Sequence, residues 1–186
     1  MDNNQQVSFH DELLILVDES DAVVGHGTKE HCHSGDGLPH RAFSIFVFNS
    51  NNELLIQRRS AQKPLWPMFW SNSVCSHPRK GEEYLEALSR RLLDEVGMQV
   101  PLEFLFRFQY QAFYEQLGAE NELCSVYAGR SDVLPSINPN EIAEWRYVAL
   151  DDLQNDIAAH PDRYTPWFKT ELEQIRTGFL EKILSL

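Results

Sequence analysis

The stretch SHPRKGEEYLEALSRRLLDEVGM, residues 76–98, carries the clearest structural pattern of the chain. From Glu82 to Val96, its apolar residues recur at steps of three and four, which is the spacing of one helix face. Gly97 follows directly, where a glycine often ends a helix in the left-handed conformation. The pattern therefore predicts an amphipathic helix over residues 82–96. The apolar residues of the predicted face are Leu85, Leu88, Leu92, Leu93 and Val96.

Strand patterns surround this helix on both sides. Short runs rich in β-branched and aromatic residues, separated by turn-forming residues, are typical of a sheet. They are ELLILVD (12–18) and AVVGHG (22–27), which predict a hairpin, then HRAFSIFVFN (40–49), LLIQRRS (54–60), MFWSNSVC (68–75), LEFLFRFQYQAFYE (102–115), ELCSVYAG (122–129) and EIAEWRYVAL (141–150).

The segment 102–115 alternates most clearly and indicates a half-buried strand. Arg107, Gln109 and Gln111 occupy one face. The opposite face is predicted to hold Phe104, Phe106, Phe108, Tyr110, Ala112 and Tyr114.

The C-terminal segment, residues 166–186, predicts a second helix. Thr165 can cap it, and Pro166 suits its first position. Taken together, these elements predict an α/β fold in which helices flank a mixed sheet on both sides, as an α/β/α sandwich. The whole chain, residues 1–186, is expected to form a single domain, with residues 1–9 disordered.

Composition limits the possible partners and compartments. The net charge is −12, which disfavours binding to nucleic acid or to an anionic membrane surface. The three cysteines are widely spaced, the first residues are polar and acidic, and no apolar run reaches the ~18 residues of a membrane helix. We therefore expect a soluble cytoplasmic protein.

The charge is unevenly distributed. Residues 58–91 hold seven Lys or Arg residues against three acidic ones, so this stretch carries +4 within a chain of net charge −12. A local basic patch on an acidic protein favours a small anion as ligand, and an ordinary solvated surface is the alternative. Arg79, Lys80, Arg90 and Arg91 are interpreted as solvated or structural residues.

Several metal-binding side chains occur in loops and at strand ends. His33 and His40 lie in the loop TKEHCHSGDGLPH, with His31 as an alternative to His33, and His77 follows Cys75 closely. Glu120 and Glu122 are two residues apart, so they share one face of an extended chain. Imidazoles and carboxylates together suit Zn²⁺, Mn²⁺ or Fe²⁺.

The order of these pieces resembles a known family. Residues 76–98 resemble a degraded Nudix box, in which Glu82, Arg90, Glu95 and Gly97 match, Ser76 replaces a glycine, and Arg91 and Asp94 replace glutamates. The further motifs TKEHCHSGDGLPHRAFS, LLIQRRS, WPMFWSNSVCSHP, AENELC and TPW occur in the order found in type 1 isopentenyl-diphosphate Δ-isomerases of the Nudix superfamily. The resemblance covers residues 10–170 and implies a Nudix-like sheet.

The resemblance also implies roles for individual residues. Cys75 and Glu122 match the catalytic residues, and Tyr110 matches the tyrosine beside the glutamate. One transition metal, Mn²⁺ or Zn²⁺, is implied at His33, His40, His77, Glu120 and Glu122. A Mg²⁺ that arrives with the substrate diphosphate is implied at Glu95. Substrate contacts are implied for Lys29, Arg59 and Lys63 at the diphosphate and for Trp167 at the hydrocarbon.

Three functions follow as hypotheses. The first is isomerisation of isopentenyl diphosphate to dimethylallyl diphosphate by a monomer or weak homodimer. The second is hydrolysis of a diphosphate, which Arg91 disfavours because it replaces a box carboxylate. The third is a non-catalytic module with a closed zinc site at Cys75, His77, His33 and His40, which would leave Glu120 and Glu122 without a role.

Overall fold

The computed structural model describes residues 4–186 and contains one mixed sheet with helices on both faces. Its strands are β1 (Leu13–Val17), β2 (Val23–Thr28), β3 (His40–Phe48), β4 (Glu53–Arg59), β5 (Trp70–Ser71), β6 (Val74–Ser76), β7 (Glu103–Tyr114), β8 (Gly118–Arg130) and β9 (Ile142–Ala149). Its helices are α1 (Lys29–His33), α2 (Tyr84–Val96), α3 (Leu150–Ala159), α4 (Pro166–Gln174) and α5 (Leu180–Leu184).

The centre of the sheet is the pair β3 and β8, which run parallel from His40 opposite Glu122 to Phe48 opposite Arg130. The remaining pairs are antiparallel: β1 with β2 and β3, β6 with β3, β4 with β3, β5 and β9, and β7 with β8. Parallel neighbours cannot be joined by a tight turn, and the chain between β3 and β8 accordingly forms four further strands and α2.

Two hydrophobic cores lie on opposite faces of the sheet. Along β3, the side chains of Phe43, Ile45 and Val47 pack toward α2, whereas those of Phe46 and Phe48 pack toward α4. This alternation is what a strand buried on both faces requires. It confirms the predicted α/β/α sandwich.

The apolar stripe predicted for α2 is partly wrong. Leu85 and Leu93 are exposed, and the buried face instead includes Arg91 and Glu95, each only 2% exposed. Arg91 Nη2 lies 2.7 Å from Glu95 Oε1, so the two charges neutralise each other inside the protein. Of the two interpretations of Arg91, solvated or structural, this burial agrees only with the structural one.

The predicted face of β7 also needs a correction at one residue. The ladder between β7 and β8 shifts register between Phe104 and Phe106, so Leu105 forms an irregularity. Phe106, Phe108 and Tyr110 pack against the α4 side as predicted. Phe104 instead lies against Tyr127, which belongs to the core on the α2 side.

Other boundaries differ because tertiary contacts decide them. The histidine-rich loop contains the short helix α1, the segment 68–75 forms two short strands, and α3 was not predicted. The C-terminal helix is interrupted by a π-helical turn (Ile175–Phe179) and ends at Leu184. Among the described residues, no helix combines the length and hydropathy needed to cross a membrane.

The amino-terminal prediction can be compared only in part, because residues 1–3 lie outside the described residues. Residues 4–9 contact the body of the protein. The backbone oxygen of Val7 accepts hydrogen bonds from Arg91 Nη1 (2.8 Å) and Arg79 Nη2 (3.1 Å), and Ser8 Oγ accepts one from Lys29 Nζ (2.5 Å). The segment is held by polar contacts. A sequence pattern of hydrophobic residues does not reveal contacts of this kind.

Gly118, the first residue of β8, packs closely against the backbone of His33 at the end of α1. A Cβ at this position would collide with the backbone oxygen of His33 and crowd Leu65. We predict that Gly118→Ala lowers the free energy of unfolding by about 1–3 kcal/mol, because the hairpin and α1 must separate. Gly178→Ala is the matched control, since nothing lies within 4 Å of its added Cβ, and we expect it to be neutral or stabilising. Thermal unfolding of both variants tests this, and equal melting temperatures would contradict the close approach.

Candidate active site

The register of three neighbouring strands builds the centre of the candidate site. His40 on β3 stands opposite Glu122 on β8, and Tyr110 on β7 stands opposite the same Glu122. Glu120 lies two residues before Glu122 and therefore on the same face. Sheet pairing alone thus brings an imidazole, two carboxylates and a phenol into one row.

Two further histidines arrive from outside this row. His33 is the last residue of α1, which begins at Lys29 with Thr28 as its N-cap. His77 directly follows β6, which pairs with β3 and places Cys75 opposite Ser44. The three imidazole centroids lie 4.9–5.1 Å apart. His31, the alternative to His33, is exposed on the other side of α1.

The cluster of potential metal ligands contains His33, His40, His77, Glu120 and Glu122. One nitrogen or oxygen atom of each lies within 4.8 Å of those of the others. Cys75 does not belong to this group in the described residues. Its sulfur instead faces Arg59 Nη1 at 3.7 Å, so the closed zinc site with a cysteine ligand is not formed.

Hydrogen bonds behind the histidines turn their other nitrogens toward the centre. His33 Nδ1 lies 2.6 Å from the backbone oxygen of Lys29, and His40 Nδ1 lies 2.6 Å from that of Leu38. A carbonyl oxygen only accepts, so both Nδ1 atoms carry a proton. Both rings therefore turn Nε2 inward, where it offers a lone pair when the ring is neutral.

The inward nitrogens of His33 and His77 lie against carboxylate oxygens. His33 Nε2 lies 2.8 Å from Glu120 Oε2, and His77 Nε2 lies 2.8 Å from Glu122 Oε1. His40 Nε2 is buried without a hydrogen-bond partner among the described residues. Electron pairs that converge in this way require a proton or a cation between them. The donor set fits a divalent transition metal, with backbone carbonyls orienting two of its histidines.

Burial controls the charge of the histidines. Burial and the neighbouring His33 lower the pKa of His40 to about 4. Burial and the other two imidazoles hold the pKa of His77 well below its usual value. Burial also opposes charge on His33, but the Glu120 carboxylate outweighs it and raises the pKa of His33. His40 and His77 are therefore neutral at pH 7, which is the form that binds metal.

Cys75 and Glu122 are two titratable groups in the lining of a pocket beside the histidine cluster. Burial raises the pKa of the Cys75 thiol to about 12, although the Arg59 guanidinium opposes this shift. Burial and the charge of Glu120 raise the pKa of Glu122. Tyr110 donates a hydrogen bond of 2.6 Å to Glu122 Oε2, which fixes the orientation of that carboxyl group. The Cys75 thiol therefore keeps its proton at neutral pH.

A cavity of about 530 Å³ opens onto these groups. Both cationic and aromatic side chains line it. Lys29, Lys63 and Arg91 lie close together in its lining and form a cationic end. Trp167, Tyr110 and Leu65 form an aromatic and apolar part, and Arg59 lies beside it, with its guanidinium 5.3 Å from the Trp167 ring. Burial, followed by the charges of Lys63 and Arg91, lowers the pKa of Lys29 to about 8.

Two residues of the cationic end were missed by sequence reasoning. Glu141 is 3% exposed, and its Oε2 pairs with Lys63 Nζ and with Arg91 Nη2, the latter at 3.2 Å. Of the basic stretch 58–91, only Arg59, Lys63 and Arg91 line the cavity, whereas Arg58, Arg79 and Arg90 pair with acidic residues outside it. The signal for Arg91 was present, because it replaces a box glutamate one turn before Glu95.

Two other predicted site residues occupy positions that the sequence could not specify. Glu95 lies behind the cavity wall in its ion pair with Arg91 and is not part of the histidine cluster. Trp167 lies at the start of α4, 3% exposed, with its ring 5.3 Å from the Arg59 guanidinium and 6.1 Å from Tyr110.

Comparison with known proteins gives a consistent result. Residues 38–168 match the NUDIX domain family. The chain is 43% identical over 175 residues to Isopentenyl-diphosphate Delta-isomerase 1 of Photorhabdus laumondii, covering 92% of this chain and 99% of that protein. It is 37% identical over 172 residues to the Isopentenyl-diphosphate Delta-isomerase of Serratia proteamaculans, covering 92% and 96%.

A solved structure supports the same fold. The chain resembles the crystal structure of DR0079 from Deinococcus radiodurans with a TM-score of 0.66 and 31% identity, covering 80% of this chain and 90% of that one. The sheet, the flanking helices and the matched relatives agree with one another. The chain therefore belongs to the isopentenyl-diphosphate Δ-isomerase family of the Nudix superfamily.

Proposed function

We propose that Cys75 and Glu122 form the acid–base pair with which this enzyme converts isopentenyl diphosphate to dimethylallyl diphosphate. The reaction adds a proton to the terminal CH₂ carbon of the alkene, which leaves a tertiary carbocation, and then removes a proton from the neighbouring CH₂ carbon. One residue of the pair donates and the other accepts. The observation that carries the proposal is that a half-buried thiol and a carboxyl held by Tyr110 line one cavity with a cationic end and an aromatic wall.

The cationic end suits the diphosphate. Lys29, Lys63 and Arg91 supply N–H donors at this end, and Arg59 supplies further ones beside Trp167. A guanidinium can bind phosphate oxygens with two parallel hydrogen bonds. When no anion is bound, the Glu141 carboxylate reduces the repulsion between the positive charges of Lys63 and Arg91. Anchoring the diphosphate holds the alkene beside the acid–base pair, so the reaction gains from orientation.

The aromatic end suits the carbocation. Trp167 packs at 5.3 Å against Trp66, and Tyr110 stacks on Phe108 at 5.4 Å, so the rings form a wall that excludes water. An aromatic face stabilises a nearby cation by electrostatic attraction, whereas water would capture it. We propose that Trp167 and Tyr110 perform this role.

Two divalent metals have separate roles in the proposal. His33, His40, His77, Glu120 and Glu122 would hold Mn²⁺ or Zn²⁺, and positive charge there favours the carboxylate form of Glu122. Glu95 would exchange its ion pair with Arg91 for the Mg²⁺ that accompanies the substrate, which frees the Arg91 guanidinium for the diphosphate.

Hydrolysis of the diphosphate is disfavoured by the ion pair on α2. Nudix hydrolysis uses several box carboxylates on magnesium, but here Arg91 stands in place of one and neutralises Glu95 at 2.7 Å. We further propose that the protein acts in the cytoplasm as a monomer or weak homodimer without nucleic acid or membrane partners. The net charge of −12 supports the exclusion of polyanions.

The reaction class can be tested by proton NMR of the protein with isopentenyl diphosphate and Mg²⁺ in D₂O. We expect dimethylallyl diphosphate that contains deuterium, because the added proton comes from a group that exchanges with solvent. We expect no free phosphate. Stoichiometric phosphate release without a new alkene would instead identify a hydrolase.

The role of Cys75 can be separated from metal binding. Cys75→Ser should lose several orders of magnitude in kcat, because a hydroxyl is a much weaker acid than a thiol. The metal content and the melting temperature should stay near those of the wild type, since the sulfur lies outside the histidine cluster. Loss of metal together with activity would show that the thiol is a ligand.

The two metal sites should respond to different substitutions. His33→Ala and His77→Ala should empty the histidine site, as measured by elemental analysis after dialysis. His31→Ala is the matched control, because it removes an exposed imidazole from the same helix. Glu95→Gln should keep that metal and raise the KM for the substrate with Mg²⁺. Equal metal loss in the His33, His77 and Glu95 variants would refute the arrangement.

A further inference from the structure

Glu171 is a buried carboxyl group that the proposed reaction does not use. It lies on α4 one turn after Trp167, so both side chains project from the same face of the helix. The residue is 0% exposed, and its Oε2 has no hydrogen-bond partner among the described residues. A buried polar atom of this kind calls for an explanation, because leaving it unpaired costs free energy.

The partners of Glu171 lie directly beneath the acid–base pair. Cys124 Sγ is 3.5 Å from Glu171 Oε1 and 3.6 Å from Ser44 Oγ, and Ser44 also hydrogen-bonds to Glu171. Ser44 is the residue opposite Cys75 in the β3–β6 ladder. Cys124 follows Glu122 by two residues on β8 and shares its face. Glu171 thus connects α4 to the two strands that support Cys75 and Glu122.

No cation accompanies Glu171 among the interactions of the described residues. The groups that face it are Ser44 from β3 and Cys124 from β8, with the Glu122 carboxyl farther along β8. A carboxylate buried without a counter-ion takes up a proton in preference to carrying charge. Burial accordingly raises the pKa of Glu171 to about 8, although hydrogen bonds from Ser44 and Cys124 oppose the shift.

We propose that Glu171 is a positioning residue that acts as a neutral acid and holds the Trp167 wall of the pocket against the strands beneath Cys75 and Glu122. The proposal rests on the roles proposed above for those two residues.

Two variants separate the hydrogen bonds of Glu171 from its packing. Glu171→Gln keeps an oxygen for Ser44 and Cys124 without any charge, whereas Glu171→Leu keeps the approximate volume and loses both contacts. Glu173→Gln on the exposed side of the same helix is the matched control. All are compared as full-length, metal-loaded protein with isopentenyl diphosphate, beside Cys75→Ser.

We expect Glu171→Leu to lower kcat about ten-fold or more, because small displacements of reacting groups are costly. KM should change less than about two-fold, since the diphosphate contacts lie elsewhere. Glu171→Gln should keep kcat within about two-fold of the wild type at pH 7, which would show that the group works uncharged. Wild-type kcat in Glu171→Leu, or equal losses in both variants, would overturn the proposal.

Infrared spectroscopy tests the protonation state without activity. The wild type should show a protonated-carboxyl C=O band at pH 7 that Glu171→Gln lacks and Glu173→Gln keeps, and the band should disappear as the pH rises through about 8. Absence of the band at pH 7 would overturn the proposal even if Glu171→Leu does not fold. Full activity of Cys75→Ser would refute the proposed acid–base pair instead, and the infrared result would still decide the state of Glu171.

Discussion

The parallel pairing of β3 with β8 is the constraint on which the rest of the site depends. Its register sets His40 opposite Glu122 and continues to Phe48 opposite Arg130. Once this ladder forms, β7 brings Tyr110 to the other side of Glu122, and β6 brings Cys75 opposite Ser44. A slip of one residue would turn Glu120 and Glu122 to the opposite face, so the hydrophobic burial that fixes the register also fixes the chemistry.

Buried charge is arranged so that each group has a partner or stays neutral. Arg91 bridges Glu95 and Glu141, and Lys63 shares Glu141. Removing one member would leave an uncompensated charge, which is costly inside a protein. The charges around the three histidines are not balanced in this way. Their inward nitrogens and the carboxylate oxygens of Glu120 and Glu122 face one another, and the imidazoles do not carry enough protons to neutralise both carboxylates. This excess of negative charge is the physical reason why the histidine cluster suits a divalent cation. The cationic end of the cavity, in contrast, suits an anion.

The α2 helix shows how a familiar sequence pattern can support a different chemistry. Its box residues keep the spacing of a Nudix helix, but Arg91 replaces a carboxylate and pairs with Glu95 one turn later. The pairing converts part of a metal-binding face into a cationic contribution to the cavity. In the function proposed above, the same scaffold would therefore bind the diphosphate with fewer carboxylates around it, while Cys75, Glu122, Tyr110 and Trp167 line the same cavity.

The amino-acid sequence by itself determined the α/β/α class, most strands, α2, and the set of histidines and carboxylates, because periodicity and residue type are local properties. The roles of Cys75, Glu122 and Trp167 came from the order of several motifs and remain proposals. Local patterns could not reveal that Leu105 interrupts the β7 ladder or that a π turn separates α4 from α5, since packing partners decide these irregularities.

Only the tertiary structure decided which polar groups are buried together. Leu85 and Leu93 are exposed, whereas Arg91 and Glu95 on the same helix are buried. The Arg91 guanidinium pairs there with Glu95 and also with Glu141, which lies far away in sequence. Glu171 looks like one of many acidic residues until the fold places it over Ser44 and Cys124. Burial, partner and charge state depend on segments that meet only when the chain is folded, so no local reading of the sequence could supply them.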